Sequence, residues 1–399
     1  MFTRFRNIHS APGCESQLDN TQPTLSTMLP ACLSGSIMMT AAAMTDPRNA
    51  PLRPRRLGAT FSVPTWMPEA ALEINEPAAV LALGRIQRST VPLEGVGDVA
   101  TTFWRTDKYA LESSPKICLL HGADSNSFEW RYVAEKMGAN GLDCTAVDWW
   151  SGGFTDREPI TRALVDSGGE LKPWTLVREH LNAFFRQQFF APEVGKPGEQ
   201  VVLIGASLGG AVAIDYAAAH PDRVKALILI DAGGESYKAP SADAVKALAP
   251  AVLAVKSFAA WITAKVDQTE EARINGLHRT EPGWSEAYGA YLASGGYQAS
   301  VTPELIRTLT VPTLVIWGAD DPILPLSDAY AFERDLGSSC YGVREVSGAG
   351  HSPHLDDPVA VTKHVSAFLE ELGLTSGART DEDAAAKRRQ YREGRPPTG

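Results

Sequence analysis

The stretch VVLIGASLGGAVAI (residues 201–214) decides the fold, because it places Ser207 in a turn between a strand and a helix. Four apolar residues before the turn form a short buried-strand pattern, and a small-residue helix pattern follows. A strand that turns sharply into a helix crowds the turn residue, and Gly205 and Gly209 relieve that crowding. We therefore predict a Gly-x-Ser-x-Gly turn that lifts the Ser207 side chain out of the carboxyl end of a sheet.

This position suits Ser207 to nucleophilic catalysis. A residue at a helix N-terminus lies beside free N–H groups and the positive end of the helix dipole, which stabilise negative charge. A serine there is also a common helix cap. The interpretation of Ser207 as a nucleophile therefore depends on whether the rest of the chain supplies a base and an acid.

Two downstream loops supply a base and an acid. The stretch VPTLVIWGADDPILP (residues 311–325) ends a strand and places Asp321 in the next loop. The stretch REVSGAGHSPHLDDP (residues 344–358) ends the last strand and places His351 in a Gly-rich loop. Serine, aspartate and histidine follow each other in the order that this turn architecture uses. We predict Ser207 as the nucleophile, His351 as the base and Asp321 as the acid that orients the imidazole.

Alternatives remain for two of these roles. Asp320 directly precedes Asp321, and Asp231 follows the preceding strand in LILIDAGG (residues 227–234), so each is an alternative acid. His354 is an alternative base, but it lies beyond a proline toward the next helix, which ranks it below His351.

An upstream loop completes the predicted site. The stretch CLLHGADSNSFEW (residues 118–130) ends a strand at His121 and Gly122. In this architecture the loop after that strand supplies one N–H group of the oxyanion hole, and the residue after the nucleophile supplies the other. We assign these groups to Ala123 and Leu208, and we expect His121 to brace the loop through its ring hydrogen bonds.

The rest of the chain alternates between strand and helix patterns. Strand patterns cover residues 99–104, 117–120, 144–149, 201–204, 226–230, 313–317 and 343–346. Helix patterns cover residues 128–137, 176–190, 208–219, 328–336 and 359–372. Short apolar strands that alternate with helices predict an α/β fold with a mostly parallel central sheet and helices on both faces. The region from Gly233 to about Pro312 contains only helical pattern, which predicts a helical cap inserted between two strands.

Together these stretches resemble the α/β-hydrolase superfamily over residues 100–372. The resemblance implies a serine hydrolase with a helical cap, and it implies the same roles for Ser207, His351 and Asp321. Epoxide hydrolases and haloalkane dehalogenases of this fold carry aspartate at the turn, so the serine disfavours their chemistry. The long N-terminal leader and the stretches HGADSNSFEWR and VDWWSGGFTDR resemble plastid and cyanobacterial-type members.

Composition divides the chain into five predicted parts. Residues 1–58 form a disordered leader with the Ser/Ala-rich, arginine-bearing, acid-poor composition of a transit peptide. The hydrolase core follows in two parts, residues 59–232 and 312–374, with the cap at residues 233–311 between them. Residues 375–399 form a disordered tail. A transit peptide predicts a plastid location, with mitochondrial and cytoplasmic locations as alternatives.

The cap is the predicted source of substrate specificity. Its stretch AVKALAPAVLAVKSFAAWITAKV (residues 244–266) is strongly apolar, and aromatic residues follow it. We expect a pocket for a hydrophobic substrate, although plain packing of the cap helices explains each residue equally well. Peripheral contact of this stretch with lipid is a further possibility. The predicted pocket residues are Trp149, Trp261, Trp284 and Tyr288.

Bulk composition excludes several functions. The net charge of −10 over 399 residues, without a central basic stripe, argues against nucleic acid as a partner. No apolar run is long enough for a membrane span. The five cysteines lack the spacing of a metal site, so we expect no metal. We also expect no cofactor.

The favoured function is hydrolysis of a hydrophobic carboxylic ester. C–C bond or thioester hydrolysis and slow turnover by a small-molecule receptor are alternatives, and the oligomeric state stays open.

Overall fold

The computed structural model describes residues 63–106, 115–150, 152–190, 200–234, 241–266, 269–297 and 300–375, with the side chains of residues 255–266 excepted. The predicted leader and all but the first residue of the predicted tail lie outside the described residues. The transit-peptide reading of residues 1–58 therefore stays a prediction.

A mostly parallel sheet forms the centre of the described structure. Its strands are β1 (Gln87–Leu93), β2 (Gly97–Arg105), β3 (Lys116–Leu120), β4 (Asp143–Val147), β5 (Val201–Ala206), β6 (Val224–Ile230), β7 (Thr313–Gly318) and β8 (Cys340–Val346). They lie in the order β1-β2-β4-β3-β5-β6-β7-β8. Strand β2 is antiparallel to both of its neighbours, and the other neighbouring pairs are parallel. Each predicted strand pattern falls on one of these strands.

The sequence patterns missed strand β1. Its sequence, QRSTVPL, contains Pro92 and has apolar residues only toward its end. A proline cannot donate a ladder hydrogen bond, so it is found mostly on edge strands. Strand β1 lies at one edge of the sheet, which is where a strand tolerates such a proline.

Helices follow most of the strands. They are α1 (Pro77–Leu83), α2 (Arg131–Ala139), α3 (Glu158–Asp166), α4 (Pro173–Gln188), α5 (Leu208–Ala219), α6 (Ala242–Val266), α7 (Glu270–Gly276), α8 (Trp284–Ala293), α9 (Pro303–Ile306), α10 (Leu326–Leu336), α11 (Pro353–Asp356) and α12 (Pro358–Glu371). Helices α6 to α9 lie between β6 and β7, and no strand lies there among the described residues. We call residues 233–311 the insertion.

The sheet is buried on both faces, because side chains that alternate along each strand enter two different apolar clusters. In β5, Val201 and Leu203 belong to one cluster, while Val202 and Ile204 belong to the other. Burial on both faces explains why the central strands read as continuous apolar runs. The predicted α/β fold class with a mostly parallel sheet is confirmed. Within the described residues, every helix is too short or too polar to cross a bilayer.

Candidate active site

The turn at Ser207 joins β5 to α5 in a strained conformation. Its φ of 50° and ψ of −117° are rare for a residue with a side chain. A Cβ atom added at Gly205 would lie 2.3 Å from the carbonyl oxygen of Gly209. One added at Gly209 would lie 2.1 Å from the carbonyl oxygen of Leu120. The two glycines therefore permit the close approach of β5, α5 and β3 that the turn requires.

The structure brings the serine, histidine and aspartate together at one edge of the sheet. His351 Nε2 lies 2.9 Å from Ser207 Oγ. On the other side of the ring, His351 Nδ1 lies 2.7 Å from Asp321 Oδ2. The three residues follow the carboxyl ends of β5, β8 and β7. With a proton on Nδ1, the ring donates to Asp321, and Nε2 is placed to accept from Ser207 Oγ.

Backbone groups complete the surroundings of Asp321. Its side chain is fully buried, and Oδ1 accepts hydrogen bonds from Ile323 N at 2.7 Å and Leu324 N at 3.0 Å. Both carboxylate oxygens therefore have donors, and the carboxyl group is held in one orientation relative to His351.

Among the described residues, neither alternative acid is hydrogen-bonded to His351. Asp320 is exposed to solvent. Asp231 is buried at the end of β6, where Oδ1 accepts a hydrogen bond from Gly318 N at 2.9 Å. Burial raises the pKa of Asp231 to about 9; the charge of Asp321 acts in the same direction, and the Gly318 N–H acts against both. Burial and the neighbouring carboxyl group of Asp321 therefore both favour the protonated form of Asp231.

The alternative base, His354, lies in another buried contact. Its Nε2 is 3.0 Å from Glu129 Oε1, and its ring stacks on Trp130 with the centroids 4.8 Å apart. Glu129 also accepts a hydrogen bond from Gly122 N at 3.2 Å. The histidine and the glutamate thus connect the segment after His351 to the loop after β3.

That loop, residues 121–126, is called the β3 loop below. Because Gly122 N donates to Glu129, this N–H is already engaged. The next residue, Ala123, is exposed, and its N–H donates to no backbone carbonyl among the described residues. Leu208 is the first residue of α5, so its N–H precedes the first intrahelical hydrogen bond. Both N–H groups keep the freedom to donate that an oxyanion hole needs.

The sequence is similar to proteins of one known family. The model described as "Alpha/beta hydrolase family" matches residues 119–364, which is more than half of the chain. The protein belongs to the alpha/beta hydrolase family. An alpha/beta hydrolase domain-containing protein, VTE7, of Arabidopsis thaliana is 28% identical over 319 residues, which are 76% of this chain and 90% of that protein.

Two further matches extend this α/β-hydrolase assignment. The 2-hydroxymuconate semialdehyde hydrolase of a Pseudomonas strain is 31% identical over 182 residues, which are 43% of this chain and 63% of that enzyme. The solved structure of a thermophilic esterase from Thermogutta terrifontis matches with a TM-score of 0.54 at 19% identity, covering 72% of this chain and 99% of that one. At that identity the second match supports the fold alone.

In this hydrolase, two of the predicted pocket tryptophans contact the β3 loop. Trp149 is buried; its Nε1 donates to the carbonyl oxygen of His121 at 3.2 Å, and the two rings stack with centroids 5.2 Å apart. The His121 Nδ1 atom also lies 2.9 Å from the Gly122 carbonyl oxygen, so the ring contacts its own loop as predicted. Trp284 Nε1 donates to Asp124 Oδ1 at 3.1 Å.

The other two pocket residues belong to the insertion. Tyr288 is buried in α8, and its ring is parallel to that of Trp284 at a centroid distance of 6.0 Å. Trp261 belongs to α6, but its side chain lies outside the described residues. That all four residues line a substrate pocket stays a prediction.

Sequence reasoning missed the polar residues that shape the β3 loop. Asp124 has a φ of 53° and accepts hydrogen bonds from the insertion, and Glu129 accepts from Gly122 N. A carboxylate two residues after the strand-end glycine was a visible signal. Its partners, however, lie about 150 residues further along the chain, and one sequence offers no way to pair them.

Proposed function

We propose that this α/β hydrolase cleaves a carboxylic ester by nucleophilic catalysis at Ser207, through an acyl-enzyme. The observation that carries the proposal is the continuous chain of contacts from Ser207 Oγ through His351 to Asp321, at 2.9 Å and 2.7 Å. Such a chain supplies a nucleophile, a base and an orienting carboxylate, and the nucleophile lies in the expected turn after a strand.

Each group has a defined task in the proposed reaction. Ser207 Oγ attacks the carbonyl carbon while His351 Nε2 accepts its proton. The N–H groups of Ala123 and Leu208 stabilise the negative oxygen of the tetrahedral intermediate. His351 then gives the proton to the departing alcohol, which leaves an acyl group on Ser207. A water molecule, deprotonated by the same Nε2, attacks the acyl group and releases the acid and the free serine.

The insertion is proposed as a cap over this site. Support comes from its position between β6 and β7 and from the contacts of Trp284 and Tyr288 described above. Its apolar and aromatic composition favours a hydrophobic acyl or alcohol group. Plastid targeting by residues 1–58 rests on their composition alone.

A serine-reactive probe tests the proposal. We expect a fluorophosphonate to label the wild-type protein, and we expect p-nitrophenyl esters to be hydrolysed. The variant Ser207→Ala should lose the label and about 10⁶-fold in kcat. Ser294→Ala is the matched control, because that hydroxyl only donates to a backbone carbonyl in the insertion. A wild-type protein that is neither labelled nor active on esters would overturn the proposal and favour the receptor reading.

One finding favours a second candidate, hydrolysis of a C–C bond by the same residues. The 31% identical relative described above is named as a hydrolase of 2-hydroxymuconate semialdehyde. Comparing turnover of that compound with turnover of p-nitrophenyl butyrate distinguishes the two. Faster cleavage of the semialdehyde would move the assignment from an esterase to a C–C hydrolase, with Ser207 labelling unchanged.

A further inference from the structure

The side chain of Asp124 joins the β3 loop to the insertion. It is almost fully buried, and its carboxylate accepts hydrogen bonds from three residues of the insertion. The donors are His278 Nε2 at 3.2 Å, Arg279 Nε at 3.1 Å, Arg279 Nη2 at 3.0 Å and Trp284 Nε1 at 3.1 Å. We call Asp124 and these three residues the Asp124 cluster.

The histidine of this cluster is neutral and oriented by both of its nitrogen atoms. Burial lowers the pKa of His278 to about 4, although its hydrogen bond to Asp124 acts in the opposite direction. His278 Nε2 therefore donates to Asp124, and Nδ1 faces Asn126 Nδ2 at 3.4 Å. Asn126 Nδ2 also donates to the carbonyl oxygen of Ile274 at 3.0 Å. The β3 loop is thus joined to the insertion at two of its residues.

The backbone of Asp124 needs such support. Its φ of 53° lies in the left-handed region, which costs a residue with a side chain roughly 1–2 kcal/mol. Aspartate and asparagine tolerate this region better than other residues. Asp124 directly follows Ala123, so the conformation of Asp124 helps to set the direction of the Ala123 peptide groups. On the other side, Gly122 N is held by Glu129.

We propose that Asp124 is a positioning residue through which the docked insertion holds the β3 loop in the shape that aims the Ala123 N–H at the reacting carbonyl. The proposal rests on the function proposed above. According to the proposal, the oxyanion hole is complete only while the insertion is docked against the β3 loop. A cap that moves away removes these four donor groups from Asp124, and the loop is then free to relax from its left-handed conformation.

Two variants of Asp124 separate its carboxylate from its backbone. Asp124→Gly keeps access to the left-handed conformation and removes every contact with the insertion. Asp124→Asn keeps the conformation and one acceptor oxygen. We expect kcat on a p-nitrophenyl ester to fall about 10²–10³-fold in the glycine variant, the usual cost of losing one oxyanion donor, and less in the asparagine variant. KM should change little, since the oxyanion contact forms in the transition state.

Variants on the other side of the contact test whether the donors act through Asp124. Trp284→Phe removes the indole N–H and keeps an aromatic ring beside Tyr288. We expect it to lower kcat in the wild-type background and to have no further effect in the Asp124→Gly background, because interacting residues are not additive. Glu270→Gln is the control. That carboxylate also joins the insertion to the core, by accepting from Glu76 N at 3.0 Å, but it does not touch the β3 loop.

Hydrogen exchange of the full chain supplies a readout that does not depend on turnover. In Trp284→Phe and Asp124→Asn, the amides of residues 121–126 should exchange at least tenfold faster, with the amides of β7 unchanged. Unchanged exchange in the β3 loop, or a raised KM with wild-type kcat, would overturn the positioning role. A wild-type protein that is inert toward esters and fluorophosphonate would instead overturn the proposed function, and the exchange result would still decide whether the insertion holds the loop.

Discussion

The ends of strands β6 and β7 carry two buried aspartates whose carboxyl groups have different hydrogen-bond partners. Asp321, after β7, has hydrogen-bond donors on both oxygens: His351 Nδ1 on Oδ2, and Ile323 N and Leu324 N on Oδ1. Asp231, after β6, accepts a hydrogen bond from Gly318 N on Oδ1, and its carboxyl group lies beside that of Asp321. Both side chains are fully buried.

The difference shows that burial alone does not decide the charge of these carboxyl groups. Removal from water disfavours a carboxylate, and hydrogen-bond donors aimed at its oxygens favour it. Asp321 has three such donors, so its position suits an ionised acid that orients an imidazole. Asp231 has one, and burial beside the Asp321 charge raises its pKa far above the ordinary value. The two neighbouring strand ends therefore give their carboxyl groups different numbers of hydrogen-bond donors, and burial favours the protonated form of Asp231.

Within this pair of aspartates, the larger effect is expected from replacing Asp321. Asp321→Asn should lower kcat about 10⁴-fold, because an amide in this place favours the wrong tautomer of His351. Asp320→Asn is the matched control, because Asp320 is the exposed neighbour of Asp321, and its kcat should stay within about twofold. Steady-state hydrolysis of a p-nitrophenyl ester measures both.

Asp231→Asn, in the same assay, should retain kcat within about tenfold, because asparagine resembles the protonated acid and leaves the contact between Asp321 and His351 in place. A loss of activity in Asp231→Asn larger than that in Asp321→Asn would reverse the roles of the two aspartates.

The next effect concerns Gly318, which lies between the two aspartates. Its N–H donates to Asp231, and a Cβ atom added to it would lie 2.0 Å from the carbonyl oxygen of Gly350, next to His351. Gly318→Ala must therefore displace the end of β7 or the loop that carries His351. We expect kcat to fall about 10²-fold from misplacement of the imidazole, with a loss of about 1–3 kcal/mol in the free energy of unfolding.

Gly276→Ala is the control for that substitution. A Cβ atom there would meet its nearest neighbour at 3.8 Å, so both stability and kcat should stay close to wild type. Urea denaturation and ester hydrolysis supply the two measurements. Wild-type kcat in Gly318→Ala would show that the His351 loop adapts, and that close packing at this point does not position the base.

Replacing Asp231 should have the smallest effect on activity. Its main effect should be on the pH dependence of the free energy of unfolding. Because burial raises the pKa of Asp231, we expect the folded protein to keep a proton there at pH values at which the unfolded chain releases it. The folded state binds more protons there, so this group lowers the free energy of unfolding as the pH rises, by up to about 1.4 kcal/mol per pH unit. Asp231→Asn removes this dependence.

Denaturation of Asp231→Asn and wild type at pH 5 and pH 8 measures that effect. The variant should gain stability relative to wild type as the pH rises, and the gain should shrink toward pH 4. Asp320→Asn serves again as the exposed control and should show no comparable trend. A stability difference between Asp231→Asn and wild type that is constant over this range would show that Asp231 is ionised in the folded protein.

Much of the fold and of the site could be predicted because local rules determine it. The apolar runs of β3 to β7 identify strands that are buried on both faces, since such strands need few polar residues. Gly205 and Gly209 identify the turn at Ser207, because only a missing Cβ permits the contacts that the structure shows there. Strand β1 was not predictable in this way, as its proline and polar residues are tolerated only at a sheet edge.

By itself, the sequence indicated where the strands end and which serine, histidine and aspartates lie at those ends. These follow from short-range steric and apolar patterns, which act over a few residues. Only the tertiary structure decided which aspartate faces His351, which aspartate is buried with a raised pKa, and that Asp124 binds the insertion. Those outcomes depend on hydrogen-bond distances and burial, which are set by atoms far apart in the chain and brought together only by folding.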